Sequence, residues 1–197
     1  MAVNGLKTKI KFETVPPPHI PRRFVDAAFD SKTNPLMRQI AEEFLINFDH
    51  YYTQGLAPSF FGPPGIGKTH VCAIIAKRLH KMGVPVMWAG VIKALNRLMD
   101  YKDCRQGDNY LTLKKNIMTF PVIVLDDFGH MQEYTRTKEL FYEIVETRYA
   151  NKRSTMFTAN FEVDNGIQSW DEISQKLSPA VTRRIKSMST GLLFVGD

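Results

Sequence analysis

The sequence predicts an α/β fold in which one parallel β-sheet carries helices on both faces. Short apolar runs alternate with segments of helical periodicity along most of the chain, a pattern typical of parallel strands joined by crossover helices. A glycine-rich turn follows the first apolar run, and two aspartates follow the third. Since ligands bind at the carboxyl ends of the strands in open parallel sheets, we expect a binding site there.

Length and composition exclude several classes of protein. The 197 residues are 44% hydrophobic and 23% charged, which excludes a disordered tail, a collagen-like fibre and a coiled-coil rod. Neither a signal peptide nor an apolar run long enough to span a membrane occurs, and the cysteines, Cys72 and Cys104, are too few for a disulfide framework. We expect a soluble cytoplasmic protein with no membrane partner. The net charge of +6 is compatible with a polyanionic partner without showing one.

The first elements follow from local signals. Residues 1–20 are predicted to be an extension, because they lack periodicity and end in a stiff proline run; residues 21–197 form the domain. A helix is predicted from Asn34 and Pro35, as cap and first residue, and Gly55 and Pro58 end it. Its apolar residues recur at helical spacing: Leu36, Ile40, Phe44, Phe48 and Tyr51.

The remaining elements alternate. Strands are predicted at 59–61, 84–88, 121–125, 154–158 and 192–195. One helix is predicted to follow the glycine-rich turn after residue 67. Further helices are predicted at 91–100, 111–118 and 135–149, with a short helix near 178–181 and a polar stretch over 100–109.

The glycine-rich turn matches the full pattern G-x-x-x-x-G-K-[ST]: Gly62, Pro63, Pro64, Gly65, Ile66, Gly67, Lys68 and Thr69. Such a loop lets successive backbone N–H groups surround phosphate oxygens, and the following helix adds the positive end of its dipole. Lys68 is predicted to reach the β- and γ-phosphates and the Thr69 hydroxyl to bind Mg²⁺.

Polar residues that follow later strands complete a hydrolytic site. Asp126 is predicted to hold Mg²⁺, and Asp127 to orient or deprotonate the attacking water. Asn160 ends the fourth strand and can contact the water or the γ-phosphate, with ordinary turn chemistry as the alternative. Arg183 and Arg184 follow the short helix; one of them is a candidate for an arginine finger, and a solvated basic pair is the alternative.

The order of these motifs resembles the AAA+ ATPases, and more narrowly the bacterial helicase-loader and IstB branch (the DnaC/DnaI type). The resemblance covers about residues 20–195 and rests on an ordered set of short matches: Ile20–Phe24, Phe29-Asp30, Gly67–His70, Val124–Gly129, Arg148-Tyr149, Ser154-Thr155, Thr158–Asn160 and Arg184-Ile185. About 20 residues precede the domain where loaders carry a helicase-binding domain. This implies either that a longer N-terminal domain is missing from this sequence or that the protein is a minimal form, encoded by a bacterium, a phage or a mobile element.

The resemblance implies a strand order of 5-1-4-3-2, with Asn160 as the sensor beside Asp126. It makes Arg184 the finger on a neighbouring subunit, with Arg183 as its substitute. It also implies that Ile20–Phe24, with Arg23 and Phe24, packs near the adenine. His70 is included among the ATP-binding residues because it directly follows the loop, with packing or capping of the helix as the alternative. The 13 residues after Arg184 leave no room for a C-terminal helical lid, which this branch lacks as well.

Two helical segments between the second and third strands fall where this branch carries an extra helix along a single-stranded DNA path. Their basic residues, Lys93, Arg97, Lys114 and Lys115, are candidates for backbone contacts to DNA, and a solvated surface is the alternative.

The resulting prediction is an ATPase that uses ATP and Mg²⁺, self-associates on ATP, binds single-stranded DNA and helps to load a replicative DNA helicase. Hydrolysis is expected to be slow, because Asp127 stands where most AAA+ proteins have glutamate, and to depend on assembly. The main alternative is an IstB-like ATPase that regulates a transposase on duplex DNA. A small-molecule kinase and a non-enzymatic adaptor are further alternatives.

Overall fold

The computed structural model describes residues 6–13, 15–103, 107–130, 135–160 and 170–194. Five parallel strands form one sheet in the order β2-β3-β4-β1-β5, which is the predicted order 5-1-4-3-2 read from the other edge. The strands are β1 (Ala57–Gly62), β2 (Val86–Gly90), β3 (Val122–Asp126), β4 (Ser154–Asn160) and β5 (Ser189–Phe194). The predicted fold class and strand order are therefore confirmed.

Helices cover both faces of the sheet, and each face has its own hydrophobic core. The helices are α1 (Pro35–Ile46), α2 (Phe48–Gln54), α3 (Lys68–Lys81), α4 (Val91–Asp103), α5 (Gly107–Thr119), α6 (Thr135–Ala150), α7 (Trp170–Lys176) and α8 (Pro179–Met188). Residues of α1, α2 and α3 pack on one face, and residues of α4 to α8 pack on the other.

The first helical region differs from the prediction. Asn34 caps α1 as expected, since its Oδ1 accepts hydrogen bonds from the backbone N–H groups of Leu36 and Met37 at 3.0 and 3.1 Å. The predicted single helix is divided at Asn47, however, and Pro58 lies within β1. The buried face of α1 is formed by Met37, Ala41, Phe44 and Leu45, whereas Leu36 is 48% exposed. The helical spacing was correct, but Leu36 does not belong to the inward face.

Several other boundaries also differ. Strand β2 begins and ends two residues later than predicted, and α8 extends to Met188, so Arg183 and Arg184 lie within this helix and do not follow it. The polar stretch predicted over 100–109 is helical at both ends, because α4 extends to Asp103 and α5 begins at Gly107. Strand β5 begins three residues earlier than predicted, and Val195, its predicted last residue, lies outside the described residues. Helix α7 was not predicted. Sequence periodicity identifies which face is apolar but gives weak information about where an element ends.

The part of the N-terminal segment that the structure describes packs against α2. The side chain of Thr8 and the N–H of Lys9 both donate to the carboxylate of Asp49. The ring of Phe12 meets Tyr52 edge-on, with centroids 5.7 Å apart. Residues 6–13 therefore cover the outer side of α2.

Arg148 joins α5, α6 and β4 at the end of the sheet opposite the predicted site. It is fully buried, and burial lowers the pKa of its guanidinium. Its N–H groups donate to Thr155 Oγ1 and to backbone carbonyl oxygens of Ile117, Met118, Phe120 and Ser154. Because the last carbonyls of a helix have no partner within that helix, this arginine satisfies the carboxyl end of α5 and fixes α5 to the sheet.

Candidate nucleotide-binding site

The glycine-rich loop joins β1 to α3, as the sequence predicts. Gly65 and Gly67 have φ angles of +88° and +95°, a region that side chains with a Cβ rarely adopt. A Cβ at either position would have no atom within 4 Å, so glycine is required here by the backbone conformation and not by lack of space. The loop ends at the first turn of α3, whose N–H groups and dipole favour an anion.

Lys68 lies almost fully buried in this loop, with 6% exposure. Its Nζ donates to the carbonyl oxygens of Gly62 at 2.8 Å and Pro63 at 2.7 Å. Burial lowers the pKa of Lys68 to about 8, and the carboxylates of Asp127 and Asp126 partly oppose that change. An ammonium group has three N–H donors, so one donor remains for a phosphate oxygen.

Asp126 accepts two hydroxyl hydrogen bonds on the same oxygen. Thr69 Oγ1 donates to its Oδ1 at 3.0 Å, and Thr158 Oγ1 donates to it at 2.7 Å. Burial raises the pKa of Asp126, while these two hydrogen bonds oppose the rise. The carboxylate therefore lies directly beside the first turn of α3.

These oxygen donors fit Mg²⁺. Magnesium is held by one or two carboxylates together with hydroxyl, water and phosphate oxygens, and the Thr69 hydroxyl and Asp126 carboxylate converge at 3.0 Å. Within the described ranges, there is no group of three or more His, Cys, Asp or Glu side chains that could hold a metal ion. A metal here would therefore depend on Thr69, Asp126 and the phosphates of the nucleotide.

Asp127 is held in an uncommon backbone conformation, with φ of 57°. Its N–H donates to Thr158 Oγ1 at 2.9 Å, and Asn160 Nδ2 donates to its Oδ1 at 3.1 Å. Gly129 lies so close to the end of β4 that an added Cβ would come within 2.8 Å of the Asn160 carbonyl oxygen. The chain after Asp127 is therefore pressed against β4, which places the carboxylate beside Asn160.

A cavity of about 460 Å³ lies over the loop. It is lined by Arg23, Phe24, Asp30, Lys32, Thr33, Asn34, Pro64, Gly65, Ile66, Gly67, Lys68, Thr69, His70, Val71 and Asn160. Phosphate-loop residues thus share one concave space with the segment that precedes α1. This space is large enough for a nucleotide-sized ligand.

Three side chains at one side of this cavity form a connected group. The ring of Phe24 meets His70 edge-on, with centroids 6.3 Å apart, and the guanidinium of Arg23 lies 4.9 Å from the centre of the Phe24 ring. His70 Nε2 is hydrogen-bonded to the carbonyl oxygen of Ala28 at 3.1 Å. Arg23, Phe24 and His70, all predicted to bind the nucleotide, therefore meet beside the loop.

The two candidate finger residues lie on α8, outside the lining of this cavity. Arg183 is exposed. Arg184 donates from Nε and Nη2 to the two carboxylate oxygens of Glu146 on α6, which raises the pKa of Arg184. Its guanidinium also lies 5.6 Å from the centre of the Tyr149 ring. The structure therefore separates Arg184 from the nucleotide cavity of its own chain.

The four candidate DNA contacts lie on α4 and α5. Lys93, Arg97 and Lys115 are exposed. Lys114 is half-buried, and its Nζ pairs with Glu143 Oε1 of α6 at 2.6 Å. Its positive charge is therefore partly neutralised by a neighbouring helix, a pairing that no local pattern indicates.

Among the helices of the described residues, none has both the length and the apolar character to cross a membrane.

Sequence reasoning missed three residues that organise this region: Thr158, Gly129 and Glu146. The first two lie within the motifs that carry the family resemblance, but no role was assigned to them. A threonine two residues before a strand-ending asparagine has its side chain on the same face of the strand, and this spacing was the available signal. Nothing local marked Glu146, since its partner Arg184 is 38 residues away.

Comparison with known proteins places the chain in a family. The family model described as IstB-like ATP binding protein matches residues 25–190. A protein of Pseudomonas aeruginosa that is named as an ATP-binding protein of insertion sequence IS21 is 27% identical over 139 residues, which are 69% of this chain and 49% of that protein. The replicative helicase loader DnaC of Escherichia coli K12 is 27% identical over 128 residues, 64% of this chain and 49% of that protein.

The fold comparison agrees with this assignment. A crystal structure of the DnaC helicase loader superposes with a TM-score of 0.74 at 24% identity, covering 89% of this chain and 100% of that one. The chain spans about half the length of the curated relatives it matches. Because the family model covers residues 25–190, more than half of its length, the chain belongs to the IstB-like ATP-binding protein family.

Proposed function

We propose that this protein is a magnesium-dependent ATPase that self-associates when it binds ATP, assembles on single-stranded DNA and helps to load a replicative DNA helicase in the bacterial cytoplasm. Residues 21–197 form the ATPase unit. The alternative within the family is an ATPase that regulates a transposase on duplex DNA. Membership of the IstB-like ATP-binding family supports the use of ATP in either case.

One observation carries the catalytic part of the proposal. A continuous series of hydrogen bonds runs from Thr69 to Asp126, Thr158, Asp127 and Asn160. It connects the first turn of α3 with the carboxyl ends of β3 and β4. The two aspartates are therefore fixed beside the loop that would bind the phosphates, which is the arrangement required for water to attack a terminal phosphate.

The roles of the residues follow from their positions. Bound Mg²⁺ would supply positive charge to the phosphate oxygens, with Thr69 and Asp126 as its protein ligands. Lys68 donates a hydrogen bond to the same oxygens and offsets their charge. Asp127 accepts a hydrogen bond from the attacking water and takes its proton as the water oxygen bonds to the γ-phosphorus. The bond from that phosphorus to the oxygen shared with the β-phosphate breaks, and ADP leaves with the electron pair. Asn160 holds the Asp127 carboxylate in place through its Nδ2.

The reaction is proposed to need two copies of the chain. Arg184 is bound to Glu146 and does not line the nucleotide cavity of its own chain. By the family resemblance, its guanidinium acts instead on ATP held by a neighbouring protomer. An arginine finger is worth about 10³–10⁵-fold in turnover in related chemistry. We therefore expect turnover per protomer to rise with protein concentration and to be slow in dilute solution. Turnover that is fast and independent of protein concentration contradicts this arrangement.

The choice of partner is tested by direct binding. Relatives named as a replicative helicase loader and as insertion-sequence ATP-binding proteins both match the chain, so the two partners must be compared in one experiment. The protein is immobilised with ATP and Mg²⁺ and offered the replicative helicase and the transposase of its host in parallel. Retention of the helicase and preference for single-stranded over duplex DNA support the proposal. Retention of the transposase and preference for duplex DNA support the alternative.

DNA binding is tested with the exposed lysines of α4 and α5. Replacing Lys93 and Lys115 by glutamine is expected to weaken single-stranded DNA binding. The slope of log affinity against log salt concentration is expected to become shallower by about 0.7 for each lysine that neutralises a phosphate. Lys114→Gln is expected to have a smaller effect, because Glu143 already shares its charge.

The matched control for these variants is Lys81→Gln, since Lys81 is exposed at the far end of α3. It removes the same charge from a helix that packs on the opposite face of the sheet from α4 and α5. We expect its DNA affinity and salt dependence to match those of the wild type. Equal losses in all variants would indicate a general charge effect and contradict a DNA path along α4 and α5.

A further inference from the structure

Arg184 is held by side chains of a different helix. Its Nε and Nη2 donate to the two oxygens of Glu146, with Nη2 at 3.3 Å from Oε1. The guanidinium also lies 5.6 Å from the centre of the Tyr149 ring. Glu146 and Tyr149 are both on α6, which packs against α8. The arginine is therefore fixed by a two-point ion pair and an aromatic face at the same time.

The pair with Glu146 leaves part of the guanidinium available. Arginine has five N–H donors, and two of them are bound to Glu146. Three donors therefore remain, and 26% of the side chain is exposed. A guanidinium can bind one anion along one edge and a second anion with its other donors. Glu146 is thus compatible with contact between Arg184 and a phosphate.

The adjacent arginine, Arg183, is not the one that Glu146 of α6 binds. Arg183 is exposed, and successive residues on a helix point about 100° apart. The two arginines therefore face different directions, and only Arg184 is held by Glu146. This difference separates the two candidates that the sequence left as neighbours.

We propose that Glu146 is a positioning residue that holds Arg184 in the orientation in which it reaches ATP bound to a neighbouring protomer. This inference rests on the proposed function, in which Arg184 acts across the contact between two protomers. An unrestrained arginine side chain samples many rotamers and must be ordered each time it is used. The bond to Glu146 orders it beforehand, so hydrolysis gains from the alignment without any contact between Glu146 and the nucleotide.

The test separates the protomer that binds ATP from the protomer that supplies the arginine. Arg184→Ala protomers keep the phosphate loop but lack the finger. Lys68→Ala protomers lack nucleotide binding but keep the finger, and mixing the two is expected to restore hydrolysis. When the finger donor also carries Glu146→Ala, we expect kcat of the mixture to fall about 10- to 100-fold with KM unchanged. Glu146→Gln in the donor is expected to give an intermediate loss, because one oxygen acceptor remains.

The matched control is Glu42→Ala in the same donor. Glu42 also pairs with an arginine Nε, that of Arg38 at 3.0 Å on α1, so this variant removes a comparable ion pair away from α8. It is expected to leave the restored rate unchanged. Melting temperatures of all donors are compared to show that they are folded. In a donor that already carries Arg184→Ala, Glu146→Ala is expected to have no further effect on hydrolysis.

The outcomes are distinct. An unchanged rate with the Glu146→Ala donor, when mixing otherwise restores hydrolysis, overturns the positioning role and leaves the finger role of Arg184 intact. A higher rate with that donor also overturns it, since Glu146 then restrains the arginine. If mixing Arg184→Ala with Lys68→Ala protomers restores nothing while the wild type hydrolyses ATP, Arg184 does not act between protomers, and both the proposed arrangement and this inference fail.

Discussion

Asn160 Nδ2 donates to Asp127 Oδ1 at 3.1 Å, so the last residue of β4 holds the carboxylate that follows β3. The two residues are 33 positions apart in the sequence and meet because β3 and β4 are parallel neighbours in the sheet. A charged acceptor strengthens such a hydrogen bond. The bond also fixes the direction in which Asp127 presents its second oxygen.

The first prediction follows from this contact. Asp127→Asn removes the proton acceptor, and we expect ATP hydrolysis to fall about 10²–10⁴-fold with ATP affinity nearly unchanged. Asn160→Ala leaves the acid but lets it rotate, so a smaller loss of kcat is expected. Steady-state hydrolysis and equilibrium binding of a fluorescent ATP analogue measure the two effects. If Asp127→Asn leaves helicase loading untouched, the nucleotide acts as a structural ligand and the adaptor alternative is favoured.

The second prediction concerns Thr158, whose hydroxyl bridges both aspartates. Thr158→Val keeps the shape but leaves the Asp127 N–H and the Asp126 carboxylate each short of one partner. We expect the free energy of unfolding to fall by about 1–3 kcal/mol. The pKa of Asp126 is expected to rise further, because this hydrogen bond opposes the effect of burial.

Two measurements check the role of Thr158. Urea denaturation gives the change in unfolding free energy. The acid limb of the pH–rate profile for hydrolysis is expected to move to higher pH in Thr158→Val, since the Asp126 carboxylate must be ionised to bind Mg²⁺. Thr158→Ser, which keeps the hydroxyl, is the control and is expected to resemble the wild type. An unshifted acid limb would falsify the link between Thr158 and the ionisation of Asp126.

The third prediction uses the pKa of Lys68, which burial lowers to about 8. Phosphate oxygens favour the charged amine, so ATP binding is expected to weaken as the pH rises through about 8 and to take up a proton there. Isothermal titration in buffers of different ionisation enthalpy measures that uptake. Lys68→Arg keeps its charge over this range, so its ATP affinity is expected to be independent of pH there.

Protein stability is expected to change in the opposite direction. The unfolded chain holds the Lys68 proton up to its ordinary pKa of 10.5, so between about pH 8 and 10.5 the unfolded state binds more protons at this residue. The free energy of unfolding, relative to a Lys68→Met variant, is therefore expected to rise with pH over that window. A relative stability that falls with pH would show that Lys68 is not desolvated in the folded protein.

The fourth prediction concerns base recognition. Phe24 lies beside His70 at one side of the nucleotide cavity, and an aromatic contact to a base is worth about 1–3 kcal/mol. Phe24→Ala is therefore expected to weaken ATP binding about 5- to 150-fold while leaving binding of inorganic triphosphate unchanged. Phe12→Ala, which removes an aromatic ring packed on Tyr52, is the matched control. Equal losses of affinity for ATP and for triphosphate would indicate that Phe24 acts through the shape of the phosphate loop and not through contact with the base.

Much of this protein was determined by local sequence. The phosphate loop could be identified residue by residue, because Gly65 and Gly67 need backbone conformations that other residues rarely adopt. The strand leading to Asp126 and the Asn34 cap of α1 were equally clear, since each depends on neighbours within a few positions. The strand order came from the family resemblance and was confirmed by the pairing of β1 with β4 and β5.

Only the tertiary structure decided which polar groups meet. Three contacts join residues that are about 30 positions or more apart in the chain: Thr158 with the two aspartates, Glu146 with Arg184, and Glu143 with Lys114. Periodicity reports which face of an element is apolar, but it carries no information about which charged residue of another helix lies opposite. Those contacts are set by how the helices pack on the sheet, and they determine how the acids and the arginine are oriented.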